Sequence, residues 1–182
     1  MLKLQFGVKF WKPSFAMMLT MLRHLLSILL LPIVAAVVVP AILLMTFAPA
    51  GSPWENPLRA LPGGLCLLAG LTLFGWCVWL FVRVGRGTLA PWDPTTNMVA
   101  VGPYQYVRNP MISGVALILV GDAFLFGSWP VAVWAGAFIL INHIYFVLSE
   151  EPGLEKRFGE AYRRYKANVP RWIPRLKPWT GN

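Results

Sequence analysis

The chain has 182 residues, 57% of them hydrophobic and only 13% charged, with 16 Lys and Arg against 7 Asp and Glu for a net charge of +9. Soluble domains carry about 25% charged residues, so this composition, with a mean hydropathy of +0.61, excludes a soluble fold and fits a single membrane-embedded domain. The basic surplus does not point to nucleic acid, because the bases flank apolar runs, where they meet anionic lipid and set orientation.

Residues 1–24 interleave Lys3, Lys9 and Lys12 with Phe6, Phe10, Trp11 and Phe15, the pattern of an interfacial helix. The first span covers about Leu25–Phe47. It exceeds the roughly 7–15 apolar residues of a signal peptide, and Pro32 and Pro40 predict a kink. The second span covers about Leu61–Val84. Its Cys66 and Gly70 are small residues four apart that let helices approach closely. Cys66 and Cys77 are the only cysteines. They lie about 16 Å apart along one helix, too far for a disulfide, and read as packing residues.

The 85–110 loop holds Gly85, Gly87, Pro91, Pro94, Gly102, Pro103 and Pro110. These residues impose a turn-rich path that leaves backbone groups in need of partners. A nucleotide-like ligand or water would supply them. The third span covers about Met111–Gly127 and the fourth about Pro130–Leu148, joined by Gly127-Ser128-Trp129-Pro130 in a tight antiparallel hairpin. Asp122 reads as a solvated rim residue. His143 lies seven residues before Glu150 on nearly the same face. It can serve a site or a helix–helix hydrogen bond.

Glu150 and Glu151, followed by Pro152, read as the end of the fourth helix, where two carboxylates oppose the macrodipole and call for a nearby cation. Arg108 across the hairpin and the basic tail are available, and a ligand's amino group is the sharper alternative. Beyond them Leu154, Phe158, Tyr162 and Tyr165 line one face of an amphipathic helix, followed by the basic-aromatic Val169–Arg175. The bases gather before the first span, between the second and third, and after the fourth. This predicts four spans with both termini cytoplasmic. The expected organisation is one domain over residues 1–182: an interfacial segment (1–24), two spans (25–84), a ligand loop (85–110), a transmembrane hairpin (111–150) and a cytoplasmic cap and tail (151–182).

Asp93-Pro94, Gly102-Pro103-Tyr104, Arg108-Asn109-Pro110, Glu150-Glu151-Pro152, Phe158-Gly159-x-x-Tyr162-x-x-Tyr165 and Val169-Pro170-Arg171-x-x-Pro174 stand in order around that hairpin. In this the chain resembles the isoprenylcysteine carboxyl methyltransferase and phospholipid methyltransferase family, over about Gly85 to Pro174. The resemblance implies an all-α membrane protein whose C-terminal amphipathic helix caps a pocket for S-adenosylmethionine, with a lipid or amphiphilic acceptor entering from the bilayer and no obligate protein partner. By position it implies cofactor contacts at Leu89, Thr96, Asn97, Met98, Val99, Tyr104, Asn109, Pro110, Met111 and Ile112, with Glu150 on the amino group. Arg108 and Glu151 would shape the reacting end. His143, Phe146 and Arg171 would face the acceptor.

Two departures follow from the same comparison. Asn109 stands where the family often has His, and Asn does not titrate near neutrality. Phe146 replaces an Arg that meets a substrate carboxylate in the isoprenylcysteine branch, so a carboxylate acceptor is not expected. Two other readings stand beside methyl transfer: a sterol-type membrane reductase using a nicotinamide cofactor, and a non-enzymatic lipid-binding protein.

Overall fold

The computed structural model describes residues 31–47, 56–85 and 98–181. The proposed interfacial segment 1–24, the start of the first span and the predicted contacts Leu89, Thr96 and Asn97 lie outside these residues. Within them the protein is all helical. Helix α1 is Leu31–Thr46 and α2 is Pro57–Leu80; α3 is Pro110–Phe126, α4 is Trp129–Phe158 and α5 is Glu160–Asn168.

Two of these, α2 and α4, are long and apolar enough to cross a membrane, while α1 and α3 are shorter and equally greasy. Only 22% and 17% of the residues in the apolar windows of α2 and α4 are buried inside the protein. A soluble core helix would hide most of that stripe. Here Leu61, Leu65, Leu68, Leu140 and Leu148 face outward, where hydrocarbon is the suitable solvent.

The bundle is built around α3. Antiparallel α2 and α3 touch through two glycine pairs, Gly63 with Gly121 and Gly70 with Gly114. A Cβ on Gly70 would lie 2.6 Å from the Gly114 carbonyl oxygen, and one on Gly121 would lie 2.9 Å from the Gly63 carbonyl oxygen. The spacing is seven residues, two helical turns, and so differs from the Cys66–Gly70 pairing expected. Val115, Ile118 and Leu119 of α3 pack in one cluster with Ala36 of α1 and Ala135 and Phe138 of α4, edged by Leu67 and Phe74 of α2. The hairpin turn is as expected, with Gly127 left-handed at φ +56°.

Two helices widen into a π turn ahead of a proline. In α1 the turn is Val34–Val38, with the Val39 N–H bonded to the Val34 carbonyl just before Pro40. In α4 it is Phe146–Glu150, with the Glu151 N–H bonded to the Phe146 carbonyl just before Pro152. A proline lacks the N–H its i−4 carbonyl needs and its ring collides with that carbonyl. A wide turn moves the carbonyl aside. In α1 the Ala35 carbonyl, five residues before Pro40 and so facing its missing N–H in the widened register, accepts the Trp134 indole N–H of α4 at 2.8 Å.

The fourth helix therefore does not end at Glu150 as expected. It runs through Pro152 to Phe158 and breaks at Gly159, whose φ of +55° and ψ of −128° suit glycine alone. The amphipathic tail is thus split, its first half continuous with the fourth span and its second half forming α5. Tyr162 and Tyr165 of α5 pack with Val169 onto Leu154, Phe158 and Met98.

Beyond α5, residues 169–179 form an extended strap along the 105–108 loop. The Arg108 N–H donates to the Pro170 carbonyl at 2.9 Å, the Arg175 N–H to Tyr106 at 3.0 Å, and the Trp179 N–H to Gln105 at 3.0 Å.

Candidate functional site

The polar groups of the hairpin converge where α4 leaves its apolar run. Arg108 arrives from the loop ahead of α3, which starts with a 3₁₀ turn over Gly102–Gln105. Gly102 has φ +58°, and a Cβ there would lie 3.0 Å from Leu80, so the loop is pressed onto the end of α2. Tyr104 is buried, its ring edge-on to Phe81 at 5.6 Å and its hydroxyl in a hydrogen bond with the buried Cys77 thiol. Tyr165 donates its hydroxyl to the Tyr104 carbonyl at 2.7 Å. These contacts fix the path into Arg108.

Glu151 is the hub. Its side chain is 7% exposed. Oε1 takes Arg108 Nη1 at 2.8 Å and Arg171 Nη2 at 2.8 Å, while Oε2 takes Lys166 Nζ at 3.2 Å. Three cations from the loop, α5 and the strap thus close on one carboxylate. A buried charge requires such partners.

Glu150, one residue earlier and about 100° around the helix, has none of them. It is half-buried and has no hydrogen-bond or ion-pair partner among the described residues. It sits two residues past Leu148, outside the apolar run. Burial first, and then the neighbouring Glu151 charge, push its carboxyl up to about 7 from an ordinary 4.5. A second polar atom in this cluster is also unmatched: the buried Arg108 Nε has no acceptor among the described residues.

The start of α3 adds backbone donors. Asn109 precedes the helix without capping it through its side chain, which leaves the N–H groups of Met111 and Ile112 without an intrahelical or side-chain acceptor. Pro110 and Met111 are buried, and Ile112 is half-buried. Met98 and Val99 lie at the loop's re-entry, with Val99 in the cluster of Cys77, Leu80, Tyr104 and Met111. Of the described members of the predicted site, Val99, Tyr104 and Met111 share one cluster and Arg108 and Glu151 an ion pair, with Glu150 next in sequence, whereas Met98 packs on α5 and Ile112 packs into the Val115–Phe138 core.

The acceptor-side residues form a second group around the strap. Phe146 is buried, with its ring 5.9 Å from that of Trp172, so it is a wall covered by the strap. His143 accepts the Trp172 indole N–H on Nδ1 at 3.1 Å. Its partner is thus the strap, where a neighbouring helix was one expectation. Arg171 spans both groups, with Nε on Glu151 at 2.9 Å and Nη1 3.5 Å from His143 Nδ1. Lys166 and Trp172 were not singled out from the sequence. Asp122 is half-buried near the far end of α3 and takes no part.

An all-helical bundle with outward-facing apolar helices and a polar cluster at one end defines the class: an integral membrane protein. The phospholipid methyltransferase family model matches residues 58–161, over half of the chain, and the protein belongs to that family. A stretch of 42 residues, 22% of this chain, is 45% identical to an uncharacterised protein of Haemophilus influenzae, of which it covers 67%. Membership implies a membrane enzyme that uses S-adenosylmethionine to methylate lipid acceptors. Methyl transfer is the reaction of this family, whereas a nicotinamide reductase or a non-enzymatic lipid binder is not.

Proposed function

We propose that this end of the bundle holds S-adenosylmethionine between the 98–112 segment, the emergence of α4 and the strap, and that it methylates a lipid with an uncharged or cationic reactive end. The observation that carries the reading is the pair of unmatched polar groups, Glu150 and Arg108 Nε, flanking the saturated Glu151. A zwitterionic amino-acid end fits such a pair, with its ammonium on Glu150 and its carboxylate toward Arg108 Nε. The uncapped N–H groups of Met111 and Ile112, the Asn109 side chain and the Met98–Val99 backbone are the remaining polar groups in reach of a nucleoside.

When bound, the cofactor supplies an already electrophilic methyl, so the protein's work is orientation, charge matching and dryness. Arg108 and Glu151 hold the loop, α4 and the strap in register around the reacting end. The strap carries Trp172 over Phe146 and excludes water from that wall. His143, Phe146 and Arg171 bound the acceptor's side. In this reading four membrane helices place both termini and the site on the cytoplasmic face, with residues 151–182 as the cap.

The test is cofactor binding by purified protein. A charge-assisted hydrogen bond in a buried site contributes about 1.5–3 kcal/mol, so Glu150→Gln is expected to weaken S-adenosylmethionine binding roughly tenfold or more. Glu160→Gln, on the exposed side of α5, is expected to change little. Equal losses from the two variants would reflect general charge and defeat the assignment.

A further inference from the structure

His143 stands on α4 seven residues before Glu150, about 10 Å deeper at 1.5 Å per residue. Its Nδ1 receives the Trp172 indole at 3.1 Å and faces an Arg171 nitrogen at 3.5 Å. Indole and guanidinium nitrogens only donate. Nδ1 therefore carries no proton, and the ring proton sits on Nε2. The imidazole is further held by stacking on Trp172, with centroids 6.4 Å apart and planes at 24°.

The Nε2–H has no partner among the described residues, although the ring that carries it is fixed by two contacts. His143 is half-buried, so this N–H is open to a group arriving from the bilayer side, where an apolar surround leaves a donor in need of an acceptor. An acceptor oxygen has to come from outside the described residues. Along a phospholipid the reactive headgroup end lies outermost and the phosphodiester lies beneath it. Along α4, Glu150 lies outermost and His143 beneath. The cationic Arg171 beside His143 favours the anionic oxygen.

We propose that His143 Nε2–H donates to the phosphodiester of the acceptor lipid and so sets which lipids the enzyme accepts. This rests on the methyltransferase reading above and names the part of the acceptor recognised at that site.

The experiment measures binding of dioleoylphosphatidylethanolamine, and of its dialkyl-ether analogue, to wild-type, His143→Asn and His143→Gln protein in maltoside micelles, which carry no phosphate. Asn keeps an oxygen where Nδ1 meets Trp172 but has no donor reaching the Nε2 position; Gln restores one. His143→Asn is expected to weaken binding of both lipids roughly tenfold, with partial recovery in His143→Gln. Unchanged binding in His143→Asn, a loss confined to the ester lipid, or wild-type binding of neither lipid would overturn the proposal. Calorimetric titration with S-adenosylmethionine runs beside it: wild-type binding of the cofactor without either lipid refutes this inference alone, whereas absent cofactor binding refutes the function itself.

Discussion

Glu150 and Glu151 are neighbours with opposite fates, and the helix between them is the reason. One step around α4 turns Glu151 into three cations and leaves Glu150 facing the loop without one. The folded carboxyl of Glu150, at about 7, binds its proton more tightly than the unfolded one at 4.5. Its contribution to stability therefore falls as pH rises through that window. Glu150→Gln is expected to raise the thermal midpoint at pH 8 and leave it unchanged near pH 4. Wild-type cofactor binding should weaken below about pH 7 as Glu150 takes up its proton, and the variant should lack that step. A midpoint that moves equally at both pH values would contradict the buried, unpaired carboxyl.

Within the Glu151 clamp the members differ in burial. The Arg108 side chain is 11% exposed and that of Lys166 is 37% exposed. Breaking a buried pair from one side costs about 3–5 kcal/mol, whereas an exposed pair is worth about 1 kcal/mol or less. Arg108→Met should thus lower chemical-denaturation stability severalfold more than Lys166→Met. Comparable losses would show that the clamp is not dry. Glu150, Glu151 and Arg108 were legible from sequence because a short motif and a hairpin place them together. Lys166 and Trp172 were not, since their partners lie 15 and 29 residues away and depend on how the tail folds back.

At the scale of helices, glycine position decides which faces meet. Gly63 and Gly70 touch the backbone of α3, while Gly64 and Gly75 have open space around a Cβ. Gly70→Ala should therefore separate α2 from α3 and reduce folded yield, because a backbone carbonyl cannot step aside. Gly75→Ala should be neutral or stabilising by about 0.5–1 kcal/mol, since alanine is the better helix former. A Gly70→Ala protein as stable as wild type would disprove the close contact. Hydrophobic runs gave the helices and their order, and the Gly127 turn gave the hairpin. Pro152 misled, because a proline after an apolar run normally ends a helix, and the π turn that absorbs it leaves no trace in composition. The strap was partly readable in hindsight: Pro170, Pro174 and Pro178 recur every four residues, and Arg171 and Arg175 each follow a proline.

For the whole molecule, sidedness follows from where the bases lie. Single cysteines introduced at position 52 and at position 180, in a chain whose native cysteines are replaced, should label from opposite sides of a sealed vesicle. Labelling from the same side would overturn the four-span topology and, with it, the cytoplasmic placement of the Glu150 end. The strap is also the part of the described structure that a ribosome makes last. While the chain is still being made, Glu151 has only Arg108 from the preceding sequence. Lys166 follows 15 residues later and Arg171 another five. During that interval the Glu151 carboxylate is held by one of its three cations, and the covering of Phe146 by Trp172 waits for the same residues. Synthesis of the strap and the covering of Phe146 are thus a single event. Until residues 166–172 are made, Glu151 lacks two of its three cations and Phe146 lacks its cover.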